Sequence, residues 1–238
     1  GIMRMALAQA LHHARHRSVF QKRLVEQPLM RTVLADMALE IEAATALVMR
    51  LSRSFDLAAS DPLEAARARL LTSAMKYWVC KTAPALIYEA MECVGGNGYV
   101  EESILPRLYR EAPVNAIWEG SGNVMCLDVL RALAREPEAT SAVLDALGSE
   151  ASDLPGAGDT AGVIRQAFSN QEPEAGARIA VSGIALLAAA AALRESAPAV
   201  ADLFTRTRLR EPHEPMLGTS RVASDEARLV LDRALPGG

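Results

Sequence analysis

The stretch from Pro28 to Phe55, PLMRTVLADMALEIEAATALVMRLSRSF, decides the fold class, because its apolar residues recur every three or four positions. That period predicts one apolar face on a helix about eight turns long. The face is lined by Leu29, Val33, Met37, Ile41, Ala44, Leu47 and Leu51. Half of the 238 residues are hydrophobic and only 4% are aromatic, with Ala and Leu dominant. This composition favours helices, and no alternating segment is long enough to predict a strand, so we expect an all-α fold.

Further helices surround this stretch. Ser60 or Asp61 can cap a helix that starts at Pro62, Pro84 should kink it, and the glycines of residues 95–98 should end it. An extended loop is expected over residues 113–120. The predicted helices of this part of the chain, besides the first one quoted, cover residues 3–25, 62–94, 103–109 and 122–135. Long helices with short connections indicate a four-helix up-and-down bundle.

The rest of the chain predicts a smaller helical extension. Residues 137–159 have a weaker pattern that ends in a loop rich in Gly and Pro, so we divide the chain into residues 1–135 and 136–238. Ile179 to Leu193 is apolar over about 15 residues, which is too short for a membrane span and predicts a buried helix, with no membrane partner. The helices expected in the extension cover residues 160–169, 173–195, 197–206 and 218–234.

Charge is unevenly distributed. The chain has a net charge of −4, which does not favour a nucleic-acid binder as a whole. Residues 1–31 nevertheless carry six Arg and Lys side chains against Glu26 alone. This basic segment is either a solvated helix face or a site for phosphate or another polyanion. His12, His13 and His16 have no spacing typical of a metal site and are interpreted as helix-surface residues, so no metal is expected.

Three cysteines at wide spacing, Cys80, Cys93 and Cys126, match neither a disulfide framework nor a zinc pattern. A reducing, cytoplasmic location is therefore expected. The chain begins directly inside a helical pattern, without an initiator Met, and this suggests a fragment of a longer protein.

Glu119 is the strongest candidate for catalysis. It stands between the indole of Trp118 and Gly120, just before a predicted helix start, and apolar surroundings push the pKa of a carboxyl upward, toward that of a general base. A Glu that only interacts with the helix dipole is the structural alternative. The three glycines of residues 95–98 would let a large ligand approach the backbone, although such a turn also ends helices for structural reasons.

These segments together resemble the acyl-CoA dehydrogenase superfamily. That family has a Gly-Gly-x-Gly turn, then an Arg, then an aromatic-Glu-Gly-Thr/Ser segment, and the chain has the same parts in the same order. The matching residues are Gly95 to Gly98, Arg110, and Trp118 to Ser121. The resemblance covers residues 1–135 and implies the family's C-terminal bundle. The N-terminal helical domain and middle β domain that precede this bundle in the family are not part of this sequence.

By this resemblance, Glu119 corresponds to the base that removes the α-proton of an acyl-CoA while the β-hydride passes to FAD. Arg17 and Phe20 match positions that contact the FAD of a neighbouring subunit, Gly95 and Gly96 match the turn against which adenosine packs, and Ser121 and Asn123 match residues that hydrogen-bond FAD. Trp118, where the family more often has Tyr, and Gly120 would line the acyl pocket. The resemblance implies a homotetramer, and predicts that this chain alone does not turn over substrate.

Within the superfamily, residues 101–111 and 118–131 are most similar to the DNA-alkylation-response, AidB-type branch, which also has a helical extension. That branch binds FAD and double-stranded DNA and has little dehydrogenase activity. Arg131 and Arg206 are the candidate phosphate contacts for DNA here. Residues 150–238, however, contain nine Arg and twelve acidic residues, and phosphate neutralisation dominates DNA affinity. A DNA-binding flavoprotein and a helical scaffold without a cofactor are therefore alternatives to the dehydrogenase.

Overall fold

The computed structural model describes residues 1–211 and 216–235. This part of the chain contains eleven helices and one short hairpin, so the predicted all-α class, a helical bundle with a helical extension, is confirmed. The helices are α1 (Ile2–His16), α2 (Pro28–Leu57), α3 (Pro62–Val94), α4 (Gly96–Tyr99), α5 (Leu105–Asn115), α6 (Gly122–Arg135), α7 (Pro137–Glu150), α8 (Ala157–Phe168), α9 (Pro173–Ser196), α10 (Pro198–Thr205) and α11 (Ser224–Ala234).

The ends of α3 follow the chemistry expected from the sequence. Asp61 caps the helix, because its Oδ1 accepts hydrogen bonds from the backbone N–H groups of Leu63 at 2.9 Å and Glu64 at 3.3 Å. The helix continues through Pro84. It ends where Gly95 adopts a φ of 73°, which glycine reaches without steric cost. The predicted bounds of α2, α3 and α6 are confirmed to within two residues.

The first helix ends nine residues earlier than the predicted range of residues 3–25. It ends at His16 and a hairpin follows, in which β1 (Ser18–Val19) pairs antiparallel with β2 (Lys22–Arg23). Phe20 and Gln21 form its two-residue turn with φ values of 52° and 64°, a left-handed conformation that non-glycine residues rarely adopt. Neither residue is typical of such turns, so the local sequence gave no signal for the hairpin. A 3₁₀ turn, Leu24–Glu26, leads into α2.

Three other predicted boundaries are wrong. The loop predicted over residues 113–120 begins later, because α5 continues through Pro113 to Asn115. Residues 137–150, expected to be weakly structured, form α7 with Pro137 at its first position, where the missing N–H costs nothing. The last helix starts at Ser224 rather than at residue 218, after a segment in which Gly218 N–H and Ser220 Oγ donate hydrogen bonds to Asp36.

The chain forms two compact units. One comprises residues 1–42, 80–115 and 213–238, and the other comprises residues 43–79 and 116–212, so α2 and α3 each contribute to both. The first unit buries Leu7, Leu11, Leu34, Met37, Leu86, Ile87 and Leu105. The second buries Leu47, Leu70, Leu71, Leu187 and the edge-to-face pair Trp78 and Phe204. The boundary predicted after residue 135 marks the end of the bundle. The division into these two units does not test it, so it stays a prediction.

Helix α9 is the core of the second unit. It is packed by α6, α7, α8 and α10, and Gly183 allows α8 to approach, since a Cβ there would lie 2.9 Å from Ile164 Cγ1. By length and hydropathy α9 could cross a membrane, but 67% of its most apolar 18-residue window is buried. Such burial is typical of the core helix of a globular domain, in agreement with the buried helix predicted for residues 179–193.

The second unit also contains a cluster of ion pairs. Arg50 donates two hydrogen bonds to Glu64, at 2.7 and 2.9 Å, and Ser54 Oγ donates a third at 2.6 Å. The Arg50 hydrogen bonds, supported by Ser54 and opposed by burial, lower the pKa of Glu64 to about 2. Asp128 has a similar environment, because Arg69 and Ser73 donate to it and its pKa is also lowered to about 2.

These carboxylates predict acid lability. Each has a lower pKa in the folded chain than the roughly 4 of an unfolded Asp or Glu, so its stabilisation is fully present above about pH 4.3 and is lost as the pH falls toward about 2. We expect the melting temperature, followed by circular dichroism, to fall over this pH window. Glu64→Gln should make the melting temperature less dependent on pH, and Asp128 should account for the dependence that remains. Glu138→Gln, on an exposed carboxylate, is the matched control. An unchanged slope in Glu64→Gln would contradict the assignment.

Candidate functional site

Glu119 lies in a tight turn between α5 and α6. The turn covers residues 116–120, and Glu119 has a φ of 53°, a conformation that is sparsely populated by residues with a side chain and is often found at functional sites. Gly120 follows with a φ of 114°. A Cβ at Gly120 would lie 2.4 Å from Met125 Cε and 3.1 Å from Val124 Cγ1, so a side chain here would displace Met125, and the positive φ favours glycine. The turn therefore presents Glu119 in a conformation fixed by its neighbours.

Lys76 holds this turn from α3. Its Nζ donates one hydrogen bond to the carbonyl oxygen of Trp118 at 2.9 Å and another to that of Gly120 at 2.6 Å. The two carbonyl groups flank Glu119 on either side, so a single ammonium group fixes the backbone around the carboxylate. Sequence reasoning missed Lys76, because it is 43 positions from Glu119 and belongs to no local motif.

The resemblance to acyl-CoA dehydrogenases predicts that Lys76→Met reduces turnover without removing the carboxylate. The variant keeps the unbranched apolar part of the side chain but loses both hydrogen bonds, and a displaced catalytic group can cost on the order of 100-fold in rate. The measurement is kcat and KM with an acyl-CoA and a dye acceptor in the full-length protein. A positioning role predicts a loss mainly in kcat. Lys81→Met, a lysine on the same helix, is the control, and an effect of equal size there would contradict the assignment.

The carboxylate is open to water in this chain. Glu119 is exposed, and so are Trp118, at 58% of its surface, and Ile117, at 66%. The apolar enclosure expected from the neighbouring indole is therefore not provided by the described residues. Exposed aromatic and aliphatic side chains beside a fixed carboxylate form a surface on which an apolar ligand or a covering domain can pack.

Helix α6 starts beside this turn. Ser121 is its N-cap residue, and its hydroxyl makes no capping hydrogen bond within the described part of the chain. The side chain of Asn123 is oriented by α9, because Arg178 Nε and Nη2 donate to its Oδ1 at 3.0 and 2.8 Å. Arg178 is a second residue that the sequence motif did not indicate.

The other predicted ligand-binding residues lie in the first unit. A cleft of about 440 Å³ is lined by Gln9, His12, His13, His16, Arg17, Val94, Asn97, Ser103 and Leu105. Arg17, predicted to contact a pyrophosphate, thus shares this cleft with Asn97 of the glycine turn. Gly95 and Gly96 are exposed, and a Cβ on either would meet no heavy atom within 4 Å, so a ligand has open access to this backbone. The three histidines line the cleft, and His12 and His16 are exposed, in agreement with their interpretation as helix-surface residues.

A family model of the acyl-CoA dehydrogenase C-terminal domain matches residues 1–134. The chain belongs to the acyl-CoA dehydrogenase family. The putative acyl-CoA dehydrogenase AidB of Escherichia coli (strain K12) is 56% identical over 135 residues, which are 57% of this chain and 25% of that protein. Acyl-CoA dehydrogenase family member 11 of Caenorhabditis elegans is 37% identical over 134 residues, 55% of this chain and 22% of that protein. This chain thus spans about a quarter of the length of these relatives.

A solved structure extends the likeness beyond the family match. Caenorhabditis elegans ACDH-11 in complex with C11-CoA aligns with 98% of this chain and 40% of its own length, at a TM-score of 0.70 and 25% identity. The residues after 134 therefore also have a structural counterpart in an acyl-CoA dehydrogenase.

The site residues expected for the acyl-CoA dehydrogenase family fall into two groups. Trp118, Glu119, Gly120, Ser121 and Asn123 are brought together in the second unit, at the turn and the start of α6. Arg17, Phe20, Gly95 and Gly96 belong to the first unit, where Phe20 is 90% exposed at the tip of the hairpin. Each role carried over from the family stays a prediction. The described residues contain no group of three or more His, Cys, Asp or Glu side chains that could hold a metal ion.

The two arginines predicted to contact DNA are already engaged. Arg131 pairs with Asp128 at 3.2 Å, and Asp128 also accepts from Arg69. Arg206 is half-buried in a π-helical turn, Arg206–Arg210, where its neighbour Arg208 is buried. Arg210 is the exposed member of this turn.

Proposed function

We propose that this chain is the C-terminal helical part of an FAD-dependent acyl-CoA dehydrogenase, in which Glu119 is the catalytic base. The observation that carries the proposal is the turn at Glu119. Its carboxylate is exposed on a backbone held by two hydrogen bonds from Lys76, and it matches the family's base in sequence. A group that abstracts a proton must be held in place relative to its substrate, and this turn is built to do so.

The reaction is an α,β-dehydrogenation of an acyl-CoA. Bound FAD supplies the acceptor for the hydride that leaves the β-carbon. The Glu119 carboxylate takes the α-proton, and the C–H electron pair released at the α-carbon forms the new double bond. The exposed face of Trp118 supplies apolar surface for the acyl chain, whereas the space beside Gly120 is filled by the side chains of Met125 and Val124. The complex of the nematode relative with C11-CoA supports acyl-CoA as the substrate class.

The residues present suit FAD. Members of the family are FAD-dependent. In this chain the cleft at Arg17 contains a fixed positive charge, and the exposed glycine backbone at Gly95 and Gly96 can lie flat against an adenosine. Ser121 and Asn123 offer a hydroxyl and an amide at the start of α6, near the base. We assign Phe20, at the tip of the hairpin, together with Arg17 to the FAD of a neighbouring subunit.

We propose that these residues supply the base and part of the FAD cradle, and that the remaining walls come from other domains and subunits. The exposure of Glu119, Trp118 and Phe20 supports this, since each would be covered in a complete site. The assembly we propose is a cytoplasmic homotetramer. Three free cysteines agree with a reducing compartment, and light scattering of the full-length protein tests the tetramer.

The test is a titration of the full-length protein, followed by flavin absorbance. The proposed function predicts a yellow protein whose flavin bleaches when isovaleryl-CoA or another acyl-CoA is added, and predicts no bleaching by the 238-residue chain alone. A colourless protein that does not take up FAD would contradict the proposal. A bound flavin that no acyl-CoA reduces would contradict the dehydrogenase activity alone.

A flavoprotein that binds double-stranded DNA is the alternative. Its support is the 56% identity with AidB, a relative named as a putative acyl-CoA dehydrogenase, together with our assignment of that branch to the DNA-alkylation response. The ion pair at Arg131 and the half-burial of Arg206 favour the enzyme instead. Retention of duplex DNA that weakens steeply with salt, with no flavin bleaching, would favour the alternative.

A further inference from the structure

The cleft in the first unit has a wall of titratable side chains. Gln9, His12, His13, His16 and Arg17 recur at helical spacing, so they share one face over the last two turns of α1. The opposite wall is formed by Val94, Asn97, Ser103 and Leu105. At about 440 Å³ the cleft is large enough for a small-molecule ligand.

Within residues 1–211 and 216–235, no carboxylate is among the side chains that line this cleft. The elements that contact α1 include α5, the 3₁₀ turn, β2 and α11, and none of their charged residues is among the lining side chains. Those charged residues are Lys22, Arg23, Glu26, Arg107, Arg110, Glu111, Asp225, Glu226, Arg228, Asp232 and Arg233. Arg110 is paired with Glu101 at 2.7 Å, and Glu26 accepts from the Arg23 N–H at 3.1 Å. The charge within the cleft is therefore positive, and every protonated histidine would add to it.

Two of the histidines are constrained by their surroundings. Burial, then Arg17 and His12, lower the pKa of His13. An anion in the cleft would oppose the effect of these neighbours, because it favours the charged form of the ring. His16 Nδ1 lies 2.8 Å from the carbonyl oxygen of His12, which can only accept, so Nδ1 carries a proton and donates it to that carbonyl.

We propose that His12, His13 and His16 form, together with Arg17, the diphosphate-binding wall of this cleft, and that binding of the FAD diphosphate tightens as the pH falls. The inference rests on the proposed function, which identifies FAD as the ligand, and adds three residues and a pH dependence. Each histidine that takes up a proton on binding gives the diphosphate another charge-assisted hydrogen bond. By linkage, a ligand that favours the protonated form of a histidine ring binds more tightly at lower pH.

The experiment uses ADP-ribose, whose diphosphate is esterified on both sides and whose charge does not change near neutral pH. We expect calorimetry with the full-length protein, freed of FAD, to give at least about tenfold tighter binding at about pH 6 than at about pH 8. The combined variant His12→Gln, His13→Gln and His16→Gln should lose this dependence and bind as the wild type does at the higher pH. Arg4→Gln, an exposed cation on the same helix, should behave as wild type at both, and circular dichroism verifies that each variant folds.

The outcomes separate this inference from the proposed function. An unchanged pH dependence in the histidine variant, or no binding of ADP-ribose at either pH, overturns the inference. FAD uptake by the full-length protein, measured by flavin absorbance, tests the proposed function separately. FAD that binds to the histidine variant as tightly as to the wild type at about pH 6 overturns the inference alone. A protein that binds ADP-ribose through the histidines but takes up no FAD overturns both the function and the assigned ligand.

Discussion

Replacing Glu119 with Gln is expected to reduce the rate of flavin reduction by an acyl-CoA about 1,000-fold or more in the full-length protein, because a positioned base contributes factors of about 100 to 10,000. The amide has the same size and the same backbone requirements at a φ of 53°, so the turn held by Lys76 should be retained. Substrate binding should change little, since the lost interaction belongs to the transition state. Stopped-flow absorbance of the flavin measures the rate, and a titration measures the binding.

Two further variants make this prediction specific. Glu119→Asp retains the carboxylate but shortens its reach by one methylene, so it should keep part of the rate that Gln abolishes. Glu138→Gln, on an exposed carboxylate of α7, should leave the rate unchanged. A Glu119→Gln protein that bleaches its flavin at the wild-type rate would show that another group removes the proton, and the turn would then be a structural feature.

Much of the fold could be predicted because its signals are local. The apolar period gave α2, Asp61 and Gly95 gave the two ends of α3, and the glycine before Asn123 gave the start of α6. The errors have a different cause. The hairpin after His16 uses Phe20 and Gln21 at positive φ, and α5 continues through Pro113, so in both places the backbone departs from what its residues prefer. Tertiary packing decides such positions, and a local pattern does not contain it.

The candidate site likewise contains residues that a local motif predicts and residues whose role depends on contacts between distant parts of the chain. Glu119 and Gly120 were found because the turn is a continuous motif, and the structure explains the glycine through its contact with Met125. Lys76 and Arg178 act on the motif from α3 and α9, 42 and 55 positions away from the residues they bind, so their roles appear only in three dimensions. The histidines of α1 are a third case, since helical spacing put them on one face but did not indicate that the face lines a cleft.

The largest stability effect is expected at Glu150, a residue with no place in the family motif. Its carboxylate accepts two hydrogen bonds from Arg67, at 2.5 and 3.0 Å, and Arg67 is almost fully buried, with 2% of its side chain accessible. The side chain of Glu150 is 40% accessible. Glu150→Leu would leave a buried guanidinium whose nearest other carboxylate, Glu64, is 3.6 Å from Nε and already paired with Arg50. An uncompensated buried charge costs about 3 kcal/mol, and we expect the free energy of unfolding in urea to fall by that amount.

The two members of this pair should not be equivalent. Arg67→Met removes the buried charge and leaves Glu150 free to be hydrated, so it should destabilise the chain less than Glu150→Leu does. In the double variant, Arg67→Met should restore part of the stability that Glu150→Leu removes. Glu195→Leu is the matched control, because its pair with Arg53 has both side chains about 60% accessible and should be worth less than about 1 kcal/mol. Equal losses for Arg67→Met and Glu150→Leu would mean that the hydrogen bonds between them, rather than burial of the guanidinium, set the stability. Because Glu150 belongs to α7 and Arg67 to α3, the same cycle measures how strongly this ion pair couples the two helices within the second unit.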